Sequence, residues 1–456
     1  MKTIEALAQN ILDVGFESFD KEAVEQAKNR ILDVVGCAIG GVNAAGCEMM
    51  VDLVKRWGGE KESTILVHGI KVPAHNAAMV NCLMCRSYDF EPVGPYVYDM
   101  NIPAHISGTT VPTALAVAEQ TVASGQELIT ALIVGDDLVS RILAASRYSF
   151  NLGWDGTGTV NMFGATAIAG RLMGLEVRQI VNAFGIVLNQ MAGSFQCIYD
   201  GVHSFKLPMA LAARAGIVSA EMAARGFTGV RDALMSKFGY FGLYCRDYDP
   251  QILTRDLGKK FFADSTFKPY PACRSTHAAI DCTLQLVHTH DIAPGDIAKV
   301  VINVTPITRD VFVSQPFKIR DIPQIDAAFS LRYTVANALL RKNVKLEHFT
   351  EEFISDPDIA KLIQKIEITG TLPPEPHLAT ELAVIMKDGR KLSAFVDNPR
   401  GDARYNPLTR EEIKDKFRAN AAFSRIVKKE KAERVISMIE RLETVSDITE
   451  IIKEIS

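Results

Sequence analysis

The run Pro269-Tyr270-Pro271-Ala272-Cys273-Arg274-Ser275-Thr276-His277 gathers two prolines, an arginine, a histidine and two aliphatic hydroxyls into nine residues. An imidazole titrates near neutrality, so His277 is a candidate acid, base or carboxylate binder, and Arg274 a candidate two-pronged carboxylate clamp. Each has a structural alternative: a capping or core histidine, and an ordinary ion pair. His105 is a second candidate acid or base, its alternative being to anchor the loop ahead of the apolar stretch Val111 to Ala118. Asp89, flanked by Tyr88 and Phe90, is a carboxylate in apolar surroundings, suited either to holding a proton or to capping a helix.

Lys206 follows His203-Ser204-Phe205 at a helix boundary, where a desolvated amine could act as a base or a counter-ion, or be a solvated surface lysine. Tyr333 could donate its hydroxyl to a substrate oxygen or pack in a core. The run Gly156-Thr157-Gly158-Thr159 could offer backbone N–H groups to an anion. It lacks the dinucleotide Gly-x-Gly-x-x-Gly pattern and a preceding strand. Cys82 and Cys85 lie in an apolar helical run with no second ligand pair, which argues against a metal site. His288 and His290 read as surface residues. Gly-x-Ser-x-Gly, Ser-x-x-Lys and His-Glu-x-x-His are absent, so hydrolase and zinc-peptidase chemistry have no support.

These residues need a scaffold that brings distant segments together. The chain has 456 residues, enough for a large core and for two domains or one domain with a satellite. A net charge of −4 with interspersed signs excludes an extended nucleic-acid surface. Eight cysteines without disulfide-like spacing, and a start lacking a signal-peptide core, predict a reduced cytoplasmic protein. No uninterrupted apolar run of membrane-spanning length is expected; Leu128 to Leu143 is broken by Asp136, Asp137 and Arg141.

Apolar residues recur at helical spacing through residue 266, as in the stretch that follows an expected Asp20 cap. Small residues in Ala165 to Gly174 and Ala210 to Ala224 predict closely packed central helices. From 267 to 398 the period changes. Strands are expected over Ala298 to Val304, Lys365 to Thr369, Leu382 to Met386 and Lys391 to Val396, the last two joined at Asp388-Gly389. A helix is expected over Ala327 to Leu340. Thr409 and Glu412 have capping-box spacing and open a helical tail, 399 to 456, that returns to the first part. The predicted class is mainly α: a large helical bundle built from both chain ends, with a smaller inserted α/β lid.

Several stretches together resemble the MmgE/PrpD family, which includes 2-methylcitrate dehydratase, cis-aconitate decarboxylase and iminodisuccinate epimerase. They are Ala27 to Gly36, Tyr88-Asp89-Phe90, Ala104-His105-Ile106-Ser107-Gly108, Thr157-Gly158-Thr159-Val160, Ser275-Thr276-His277, Phe329-Ser330-Leu331-Arg332-Tyr333 and Pro399-Arg400-Gly401-Asp402. The resemblance implies a cleft between helical domain and lid, a homodimer, no metal or organic cofactor, and a small di- or tricarboxylate substrate. It also marks a departure: where many relatives carry His-Pro-Thr-Gly, this chain has Asp155-Gly156-Thr157-Gly158, an anion in place of an imidazole.

The combined expectation is a cofactor-independent lyase, foremost a dehydratase of a hydroxy polycarboxylate, that removes a proton beside a carboxylate. Lys206 or His277 is the expected base and His105 or Asp89 the acid. Arg274, Asp155, His203 and the Thr157 to Thr159 amides are the expected substrate holders. Epimerisation, decarboxylation and non-catalytic binding of a small acid are the alternatives. No nucleic-acid or membrane partner is expected.

Overall fold

Apolar periodicity and local caps account for most of the helices. In the computed structural model, which describes residues 2–149 and 152–456, Asp20 caps the Lys21–Gly40 helix by accepting from Ala23 N at 2.7 Å. The centre of the helical part is built from Ala74–Arg86, Ser107–Thr121, Gly125–Ala145, Asn161–Leu172, Val177–Val187 and Leu207–Ala224. Small residues set their spacing. A Cβ on Gly216 would come 2.4 Å from that of Ala165, and one on Gly164 would come 2.3 Å from Val139 Cγ2.

The helical stretch His203–Ala224 is long and apolar enough to cross a membrane, against the expectation that no such stretch exists. Its apolarity comes largely from alanines that let it pack at the centre of the bundle, against Asn161–Leu172 and Ala74–Arg86. The chain's end returns as expected. Thr409 and Glu412 form the capping box of Arg410–Ser424, which lies along Lys21–Gly40, and Lys416 pairs with Asp33 at 2.7 Å.

The lid carries a four-stranded sheet in the order 366–369, 297–304, 380–386, 391–396. The first pair is parallel and the other two antiparallel, and Gly389 makes the last turn at φ 87°. The His277–Thr289 helix packs on this sheet and on Leu331–Arg341. Instead of one helix over 327 to 340 there are two, because Ser330 leaves the helix and caps the next one through Tyr333 N at 3.2 Å. A small sheet ties the two parts: Val93–Val97 pairs with Asp264–Thr266, the strand just ahead of the lid.

Candidate active site

Arg86 closes the Ala74–Arg86 helix, and the turn after it holds Asp89 at a positive φ of 49°. That turn delivers Asp89 and Glu91 to the same guanidinium. Arg86 Nη1 contacts Asp89 Oδ1, reaches Glu91 Oε1 at 2.5 Å, and lies 3.2 Å from His105 Nδ1. Lys268 completes the cluster, donating to the Asp89 carbonyl at 2.6 Å and to its Oδ2 at 2.8 Å. Two cations thus face two carboxylates, with Arg86, Asp89, Glu91 and Lys268 all buried.

His105 is the least buried member, 16 % accessible at its side chain, and its Nδ1 sits 2.8 Å from Glu91 Oε1. Nδ1 thus faces both a guanidinium, which only donates, and a carboxylate, which only accepts; the shorter contact, to Glu91, assigns the hydrogen to Nδ1 and the lone pair to Nε2. The backbone around the histidine is held as firmly as its ring. Asn161 donates to the His105 carbonyl at 2.7 Å, while Asp264 Oδ2 accepts from Ile106 N and Ser107 N at 2.8 and 2.7 Å.

Burial alone would raise the Glu91 carboxyl, but Arg86, the hydrogen bond from His105 and Lys268 hold it well below the usual carboxylate range. Burial and then Arg86 lower the His105 imidazole, with Glu91 opposing. At neutral pH the histidine is therefore an unprotonated base. Asp89, Glu91 and His105 each bring a ligand atom within 4.8 Å of the others, a metal-like grouping. A cation already occupies that charge: Arg86 Nη1 meets all three side chains and Lys268 takes the other oxygen of Asp89, so a resident divalent ion does not fit this arrangement.

His105 and Arg86 open onto a narrow cavity of about 30 Å³. Tyr148, Asp155 and Thr157 from the helical part line it, as do Cys273 and the apolar side chains Phe195, Ile198, Phe312 and Phe329. Asp155 is buried here, but its Oδ1 accepts from Thr157 N at 2.9 Å. Gly158 N donates to the Asp155 carbonyl and Thr159 N to Gly156, so the amides expected to hold a substrate carboxylate close their own turn instead. Thr159 Oγ1 likewise donates to the Asp155 carbonyl. Gly158 is required by space, since a Cβ would lie 1.9 Å from the Ala192 carbonyl oxygen.

The remaining expected site residues lie off this cavity. His277 is fully buried, its Nε2 3.1 Å from the Ala272 carbonyl and its Nδ1 3.3 Å from Arg274 Nη1. Burial, then Arg274, pushes its imidazole well down. Arg274 donates to the carbonyls of Arg400 and Pro399 at 2.6 and 2.8 Å and so fastens the returning chain to the lid helix. Burial pushes it down to about 10.

Lys206 is buried one layer behind, donating to the Ala45 carbonyl and Ser87 Oγ at 2.9 Å each, with its pKa lowered by burial. His203 is exposed beside Gly46. Tyr333 donates to the His348 carbonyl in the lid core, against Phe317 and Phe349.

Of the expected residues the cavity unites His105, Asp155 and Thr157, with Asp89 in the cluster behind. Arg86, Glu91 and Lys268 were missed. Each is a charge inside an apolar run adjoining a quoted motif, which is the signal that could have found them.

Known proteins share this arrangement of segments at modest identity. A human cis-aconitate decarboxylase is 26 % identical over 442 residues, covering 93 % of this chain and 88 % of that protein. The Mus musculus cis-aconitate decarboxylase is 24 % identical, covering 93 % and 87 %, and that of Aspergillus terreus 22 %, covering 97 % and 93 %. The MmgE/PrpD N-terminal domain matches residues 5–253 and the MmgE/PrpD C-terminal domain residues 270–444. With both domains matched in order across nearly its whole length, the chain belongs to the MmgE/PrpD family.

Proposed function

We propose that the protein is a lyase acting on a small hydroxy polycarboxylate, with His105 as the base that starts the reaction. The observation that carries this reading is the Glu91 to His105 contact of 2.8 Å, which leaves Nε2 as the unprotonated acceptor of a residue that lines the cavity. Arg86 supplies positive charge for a substrate carboxylate at the same wall. Nε2 takes the proton from the carbon beside that carboxylate, the electron pair forms the alkene, and the same proton leaves with hydroxide as water. Every group in this scheme belongs to the chain, with no metal or organic cofactor. The working form is a cytoplasmic homodimer, for which exposed Tyr199, Leu211 and Leu243 supply apolar surface.

Decarboxylation of an unsaturated tricarboxylate is the second reading. It is favoured by the names of the relatives and by the apolar wall of Phe195, Ile198, Phe312 and Phe329, which would desolvate a departing carboxylate. Proton NMR in D2O with a panel of citrate-like, malate-like and amino-dicarboxylate acids separates the outcomes. New alkene signals with α-proton exchange support the dehydratase, and CO2 loss supports the decarboxylase. A diastereomer with exchange means an epimerase, and silence across the panel overturns both readings.

A further inference from the structure

We infer that substrate reaches His105 through a hollow between the Gln196–Asp200 helix and the short lid helix Pro306–Asp310, and that the rings of Phe195 and Phe312 form the constriction that selects what passes. The inner cavity at His105 holds about 30 Å³. That is about a tenth of the roughly 300 Å³ at which small-ligand sites begin, so it admits water and not a polycarboxylate. A wall must therefore move before the reaction.

The outer hollow holds about 300 Å³, with Tyr199 on one side and Pro306, Ile307, Asp310 and Val311 on the other. Phe195 and Phe312 line both spaces, so their rings are the partition between them. The hollow at Gln190 and Leu211, by contrast, shares no wall residue with the inner cavity among the described residues. Asp310, the carboxylate at the outer wall, is met by Arg309 at 2.7 Å, which offsets its charge along the passage.

The two partition rings are the least anchored part of the inner apolar wall. Ile198 and Phe329 are 6 and 7 % exposed, and Phe329 packs edge-on against Phe205 with centroids 5.8 Å apart. Phe195 and Phe312 are half-buried, and each stands at the start of a short element, the five-residue Gln196–Asp200 helix and the three-residue turn Phe312–Ser314. Phe312 meets Phe329 and Tyr199 edge-on at 5.5 and 5.9 Å, contacts that a side-chain rotation exchanges. Phe195 belongs to the helical part and Phe312 to the lid. The constriction thus widens by turning two side chains, while Arg274 keeps the lid fastened to the returning chain. When they turn back, the same rings shut bulk water out of the cavity.

The test uses diethyl pyrocarbonate, a reagent of small-polycarboxylate size that acylates unprotonated imidazole, with peptide mass spectrometry giving the rate at each histidine. Exposed His290 calibrates the reagent and fully buried His277 reports loosening of the fold. Phe312→Ala and Phe195→Ala are expected to speed modification of His105 about five- to tenfold with His277 still protected. Ile307→Trp, at a position that is 51 % exposed and lines the outer hollow but not the inner cavity, is expected to slow it by about threefold or more. Unchanged His105 rates in both alanine variants, acceleration shared by His277, or a rate unmoved by Ile307→Trp overturns the route. The inference rests on the reading of His105 as the reacting base, but the measurement needs no turnover. Silence across the acid panel overturns that reading alone, and unmoved modification rates overturn the entry route alone.

Discussion

His105 Nδ1 lies 2.8 Å from Glu91 Oε1, and Glu91 is completely buried while His105 reaches the cavity. This places a permanent negative charge behind the imidazole, where it fixes the tautomer and stabilises the imidazolium formed when Nε2 takes a proton. Glu91→Gln keeps the shape and an acceptor but removes the charge. We expect kcat to fall roughly 10- to 100-fold with KM little changed, measured by steady-state kinetics on whichever polycarboxylate is turned over.

The lowered imidazole sets a pH profile. The unprotonated form is the active one, so kcat/KM should be flat at neutral pH and fall on acidification with an apparent pKa below 6.5. A profile that instead rises as the pH drops would show that His105 acts first as an acid.

Arg86 is the one cation shared by Asp89, Glu91 and His105. Arg86→Met leaves two buried carboxylates with Lys268 as their remaining nearby cation, a loss of about 3 to 5 kcal/mol by the usual cost of breaking a buried pair. Urea denaturation checks the stability, and a rise in KM for the folded fraction checks its part in holding substrate.

Arg274 gives the contrasting case. Removing a side chain that satisfies the carbonyls of Pro399 and Arg400 should cost about 2 to 4 kcal/mol, since two acceptors lose their charged donor. In Arg274→Met the melting temperature falls while kcat per folded molecule stays within about threefold. A large kcat loss at unchanged stability would restore it as a substrate clamp.

Asp264 carries a pH signature of its own, because burial pushes its carboxyl up from 3.8 to about 7 against the two amide hydrogen bonds. The native state keeps a proton that the unfolded chain has released across that interval. The stabilisation is full below about 3.8 and is lost as the pH rises through about 7. Asp264→Asn removes this dependence, so urea midpoints of wild type should decline relative to the variant between those limits and run parallel above them.

The features legible in the sequence were those decided within a few residues. Asp20, Thr409 with Glu412, and Asp388-Gly389 act on their own neighbours, and each makes its expected cap or turn. His105 stood out for its type, and its neighbour Asp89 for its apolar flanks. What local patterning does not carry is the partner each side chain meets in the fold: nothing near Arg274 shows that it will meet carbonyls 125 and 126 residues on, and nothing in the run itself shows that Asp155 will take the Thr157 amide. Lys206 and Tyr333 looked reactive because local patterning carries no record of how deeply a position will be buried.

The buried ammonium of Lys416 has a consequence for how the protein is made. It donates to the Phe90 carbonyl, 326 residues earlier, and pairs with buried Asp33. At about 5 to 20 residues per second a ribosome needs roughly 15 to 65 s to cover that distance. Until then the nascent amino-terminal helices hold an acidic group and a carbonyl without their cation, while the intervening lid segment has already been synthesised. Completion of the helical body thus waits for the Arg410–Ser424 helix, and a nascent chain stalled short of residue 416 should remain open to proteases and chaperones.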